Sequence, residues 1–255
     1  MAALASDRGA VRAYWTKSRA PRYSLVFALP LFLLYEALAA SLASTPGTAS
    51  VRNAADVILK TPFLLFSGNR GSLAFFATVI AVCVFLVARD FTKTRERPQP
   101  RMFLLMLGES AVLAFFLGVV VATLTQRLLG VLPLSAQTAP TPLEAMGAGT
   151  RLMLALGAGL YEELLFRVLF VGGMAAGLKR FFGARPWVAG ALAAIIGAVV
   201  FSAFHYVGEY GDPFEVASFT YRAIAGLAFS ALYLARGFGI TAWTHALYDV
   251  YVMVL

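Results

Sequence analysis

The sequence predicts an all-α protein: a polytopic transmembrane helix bundle of about seven spans with an added interfacial helix. Three observations predict it. Of 255 residues, 60% are hydrophobic and 13% charged, where a soluble domain carries about 25% charged residues. Apolar runs long enough to cross a bilayer recur along the chain. The basic residues fall in the segments between those runs instead of gathering on one face. Membrane orientation explains that distribution. Nucleic-acid binding needs a contiguous basic footprint, so no nucleic-acid partner is expected despite a net charge of +8. The single cysteine, Cys83, lies in an apolar run. It permits no disulfide within the chain and no cysteine metal cluster, and reads as a small core hydrophobe.

Residues 1–22 are read as a cytoplasmic basic N-terminal arm, with Arg8, Arg12, Lys17, Arg19 and Arg22 against Asp7. Residues 23–149 form an N-terminal transmembrane region. Its first span, Tyr23–Ala43, is longer than the apolar core of a signal peptide and contains Glu36, so it is read as retained. Val51–Phe66, interrupted by Pro62, reads as a helix lying at the interface. Leu73–Ala88 is the second span and Arg89–Arg101 a basic loop. Met102–Leu124, with Glu109 inside it, is the third span, and Gly130–Gly149 a surface connection. Glu36 and Glu109 are expected to be packing or interface groups.

Residues 150–255 carry the chemistry. Thr150–Leu178 is the fourth span, with Ala155, Gly157, Ala158 and Gly159 allowing a neighbouring helix to come close. Trp187–Val207, Phe219–Ala235 and Ile240–Leu255 are the fifth, sixth and seventh spans. A short acidic loop holds Glu209, Asp212 and Glu215. Most Lys and Arg fall on one side if the N-terminus is cytoplasmic, which puts the acidic loop outside and predicts a multi-pass protein of the plasma membrane.

The fourth span contains Glu162, Glu163 and Arg167. Ionisable groups at that depth cost about 3 kcal/mol or more each, so a functional role is the default. Glu163 and Arg167 share a helix face as an i,i+4 pair. Glu162 points about 100° away from Glu163 and is left free. The only two histidines each have a partner at the same spacing: Phe201 before His205, and Asp249 after His245. Turned inward, these faces bring carboxylates and imidazoles together where they are hidden from lipid.

That set suits water activation. A glutamate can take a proton from water that an imidazole orients, and His245 can donate to the oxyanion of an attacked peptide carbonyl. Asp249 would set the tautomer of that ring or face the substrate. No Ser, Thr or Cys stands on these faces as a nucleophile; Ser202 is nearest, on another face. Zinc held by Glu162, His205 and His245 is the alternative, since two histidines and a carboxylate can bind a catalytic zinc with its water. The H-E-x-x-H signature is absent. A transporter or proton pathway would use the same intramembrane Glu and His residues, although the paired half-sequences that favour transport are lacking. A catalytically silent membrane scaffold is a further reading.

Glu162-Glu163-x-x-x-Arg167, Phe201-x-x-x-His205 and His245-x-x-x-Asp249 resemble, in order, the three motifs of the CPBP family. These are the CAAX prenyl protease and bacteriocin-processing proteins, also called ABI proteins. The resemblance spans Thr150–Leu255 and includes Gly226-Leu227 and the Gly237–Ile240 turn. It implies an intramembrane endopeptidase acting on membrane-associated proteins or peptides, with the lipid bilayer as its medium. It further implies that Glu162 and His205 activate water, that His245 and residue 249 stabilise the oxyanion, and that Glu163, Arg167 and Phe201 give structural support. Eukaryotic CAAX proteases carry asparagine at the position of Asp249, and aspartate donates a hydrogen bond only when protonated. Hydropathy puts Glu162 near mid-membrane and the two histidines near opposite edges, so a meeting of the three needs broken or longer helices.

Overall fold

The computed structural model describes residues 2–43, 51–130, 146–208 and 211–254. Every regular element among them is helical. The chain runs through α1 (Ala2–Ser18), α2 (Pro21–Leu42), α3 (Ala54–Ser67), a 3₁₀ turn (Gly68–Arg70), α4 (Gly71–Thr94) and α5 (Pro100–Leu129). A long rod follows, made of α6 (Ala148–Gly157), a π-helical segment (Ala158–Gly172) and α7 (Gly173–Phe182). Then come α8 (Pro186–Phe204), α9 (Val216–Arg236) and α10 (Phe238–Met253). Most of the Gly130–Gly149 connection, and Glu209 of the acidic loop, lie outside the described residues.

Among the described residues, four stretches are long and apolar enough to cross a membrane: Pro21–Leu42, Ala54–Thr94, Pro100–Leu129 and Pro186–Phe204. Only 11–39% of their most apolar windows is buried, which suits an outer shell facing lipid. The helices that carry the other motifs are shorter or more polar and pack within that shell. The most central is α10, which touches α2, α5, α6, α9 and the π segment. This is an integral membrane helix bundle.

The basic arm is helical. α1 is fastened to the bundle where Tyr14 donates to Glu109 at 2.5 Å and Arg236 reaches Ser18 and the Trp15 carbonyl. α4 runs past the expected span to Thr94, so the basic loop shrinks to residues 95–99. Pro62 does not end α3, which continues to Ser67. α3 is amphipathic in the inverted sense: Ala55, Asp56 and Lys60 are buried, whereas Leu65 and Phe66 are 80% and 92% exposed. Its polar side faces protein and its apolar side faces outward.

The small residues of the rod do what their size suggests. A Cβ on Gly159 would lie 2.5 Å from the Ala242 carbonyl and the Ala246 methyl on α10. One on Gly157 would meet the Tyr35 ring at 2.5 Å and the Asn53 Cβ at 2.9 Å. The rod therefore lies against α10 on one side and against α2 and the start of α3 on the other.

Candidate active site

The rod changes character where the chemistry lies. Glu162, Glu163 and Arg167 all sit in the π segment. A shift to i→i+5 bonding inside an α-helix is rare and recurs at functional sites. The two neighbouring carboxylates face different helices. Glu163 accepts a hydrogen bond from His245 Nδ1 on α10 at 2.7 Å, and its other oxygen lies 3.3 Å from Arg167 Nε. Glu162 accepts from the Asn53 side-chain amide at 2.9 Å. The expected division between an engaged Glu163 and a separate Glu162 is seen in these partners.

Arg167 is 1% exposed, yet none of its guanidinium nitrogens has a hydrogen bond among the described residues. Its charge rests on aromatic faces, with the guanidinium carbon 4.3 Å from the centre of Phe201 and 5.6 Å from that of Phe229. A cation over a ring is attracted by the ring quadrupole, and more strongly when desolvated. Phe201 is thus a support for Arg167, and it also touches both imidazoles, with ring centres 4.9 Å from His205 and 6.2 Å from His245. Phe229 stacks on His245 at 4.3 Å. No motif marked Phe229; it came into place only through the α9–α10 packing.

His205 caps the C-terminal end of α8, one residue beyond its last helical residue. Its Nδ1 lies 2.9 Å from the Phe201 carbonyl oxygen. A carbonyl only accepts, so Nδ1 carries the proton and Nε2 presents a lone pair. The loop beyond is held by Arg222, which pairs with Asp212 and donates to Ser218 Oγ at 3.0 Å. The Asp212 N–H in turn returns to the His205 carbonyl at 2.9 Å. His245 lies two turns into α10, with Nε2 3.6 Å from Asp249 Oδ2. Glu162 interacts electrostatically with His205, His245 and Arg167. The depths read from hydropathy therefore need correction. α8 stops short of the expected span end, His205 turns back at its cap, and the rod and α10 bring Glu162 and His245 to the same place.

Ser202 is no candidate nucleophile, because it is fully buried and its hydroxyl donates to the Phe219 carbonyl at 2.7 Å. Among the described residues, no group of three or more His, Cys, Asp and Glu side chains is arranged to hold a metal ion. Sequence reasoning also missed Asn53. Its one local signal was an asparagine placed directly before an apolar helix, a capping pattern.

Fold and site together define a class: a membrane-embedded helix bundle that buries two adjacent carboxylates, one of them hydrogen-bonded to an imidazole. Residues 146–251 match the family model described as Type II CAAX prenyl endopeptidase Rce1-like. Over that region the resemblance carried by the three motifs is borne out, and it is a resemblance to proteases. No curated protein and no solved structure matches the chain.

Proposed function

We propose that the protein is an intramembrane endopeptidase that hydrolyses peptide bonds of membrane-associated proteins or peptides. The observation that carries this reading is the unequal use of the two adjacent carboxylates. Glu163 is engaged by His245 and Arg167, while among the described residues Glu162 accepts from a neutral amide and interacts electrostatically with both imidazoles. A carboxylate so placed is available as a general base.

The steps follow from the donors and acceptors present. Water gives one proton to Glu162 while its other hydrogen points to the lone pair on His205 Nε2. The water oxygen attacks the peptide carbonyl carbon, and the carbonyl oxygen becomes an oxyanion. Glu162 then passes its proton to the leaving nitrogen, so water is consumed and an acid and an amine are released. His245 supports the oxyanion. Its Nδ1–H is committed to Glu163, and its Nε2 lies 3.6 Å from Asp249 Oδ2. A proton on either of these two groups would give that edge a donor for the oxyanion where eukaryotic CAAX proteases carry asparagine. The distribution of basic residues supports a plasma-membrane protein with a cytoplasmic N-terminus.

The test is proteolysis by the detergent-purified protein, wild type beside Glu162→Ala. The substrates are a prenylated CAAX peptide and a pool of membrane-protein peptides, each with and without chelator. Cleavage that disappears in Glu162→Ala and ignores chelator is expected. Cleavage abolished by chelator and restored by zinc would replace the glutamate mechanism with a metal one. A folded wild type that cleaves neither substrate would favour transport or scaffolding.

A further inference from the structure

The N-terminal half contributes directly to the site. Asn53 lies 109 positions before Glu162 and outside the residues that match the protease family. It is 7% exposed, and Glu162 is 8% exposed. We infer that Asn53 is a positioning residue that holds the Glu162 carboxylate in its working orientation. The inference rests on the protease reading above for its catalytic consequence, but not for the contact itself.

The amide has no freedom to serve otherwise. Asn53 is the N-cap of α3, and its Oδ1 accepts from the Ala55 N–H at 2.9 Å. With Oδ1 committed, Nδ2 is the atom that faces Glu162. Rotating the amide by half a turn would set an oxygen against a carboxylate and an NH₂ against an N–H, losing both bonds. The backbone is held as firmly as the side chain. The Asn53 N–H donates to Tyr35 Oη at 3.3 Å, and that hydroxyl donates to Asp56 at 2.8 Å. Asp56 pairs with Lys60, which reaches Glu36 at 3.0 Å, and Glu36 accepts from Tyr161 at 2.5 Å, one residue before Glu162. The network therefore leaves the rod and returns to it, closing around the start of α3. Gly157, one turn before Tyr161, leaves the space that Asn53 and Tyr35 fill.

A neutral donor suits this task. It fixes the rotamer of a base without supplying the full opposing charge that an arginine would bring. A base must be held in close register with its water, and an ångström of misplacement can cost about 100-fold in rate.

Two variants separate positioning from helix capping. Asn53→Thr keeps an N-cap acceptor but has no amide to reach Glu162. The expected result is a modestly lowered thermal midpoint, from the lost hydrogen bond to Glu162, with a wild-type KM and kcat lowered about 10- to 100-fold. A kcat equal to wild type would leave Asn53 only a cap and overturn the inference. Asn53→Asp also keeps the cap but sets a second carboxylate against Glu162. It should lower the thermal midpoint in the wild-type background, and Glu162→Gln should restore it by offering an amide in return. Equal midpoints with and without Glu162→Gln would show that the two side chains do not meet. This second arm needs no activity: a wild type that cleaves nothing defeats the protease reading, while the stability cycle still decides the contact.

Discussion

Two arginines in this bundle are equally hidden and differently used. Arg236 and Arg167 are 2% and 1% exposed. Arg236 spends its guanidinium on protein partners: Glu109 Oε1 at 2.6 Å and Oε2 at 2.7 Å, Ser18 Oγ at 3.0 Å and the Trp15 carbonyl at 3.4 Å. It joins α9 to α5 and to α1, and the Tyr14 hydroxyl completes the acceptor's shell. Burial and the neighbouring Glu109 push the Tyr14 hydroxyl well above its ordinary range, so it stays a neutral donor. Arg167 makes no hydrogen bond among the described residues and leans on two phenylalanines beside Glu163. A fully satisfied buried network rigidifies a fold, whereas an incompletely satisfied one marks a place where something else is at stake. We read the Arg236 cluster as architecture and the Arg167 cluster as support for the proposed site.

The largest expected effect tests the site end of that contrast. Glu162→Gln should lower peptide hydrolysis by about 10²- to 10⁴-fold, the span attributed to a general base, with the thermal midpoint close to wild type. A Glu163→Gln protein that loses its activity while Glu162→Gln keeps it would reverse the roles of the two carboxylates.

Next comes the architectural end. Arg236→Met leaves the half-buried Glu109 without its cation, and the loss should approach but not reach the ~3–5 kcal/mol of breaking a fully buried pair. Thermal unfolding in detergent should show that loss, while kcat per folded molecule holds. Arg167→Met gives up no such set of hydrogen bonds, so it should cost less stability yet more kcat. The opposite ranking in either measurement would dissolve the distinction between the two arginines.

The smallest effect sharpens the architecture alone. Arg95 ends α4 with φ of 52°, the one non-glycine residue with positive φ among those described. Side chains are disfavoured in that conformation by about 1 kcal/mol, so Arg95→Gly should raise stability by that order without touching turnover. An unchanged or lowered thermal midpoint would mean that the Arg95 side chain contributes something the backbone argument leaves out.

Sequence alone determined the helices and the motif residues, because hydropathy and i,i+4 spacing are local properties. A run such as Pro21–Leu42 is apolar whatever it packs against, and Glu163 and Arg167 are neighbours on any helix. Buried charge in an apolar span also pointed to Glu162 before any fold was known. Span limits were less legible: α4 extends through polar residues and α8 stops before His205, since a helix end is decided by capping and by what the loop beyond it binds. Only the tertiary structure decided which side chains meet. Asn53 with Glu162, Glu109 with Arg236 and Phe229 with His245 are contacts between helices far apart in the chain, set by how the bundle packs. A single sequence does not carry that information, because hydropathy says that a face is buried without saying against what.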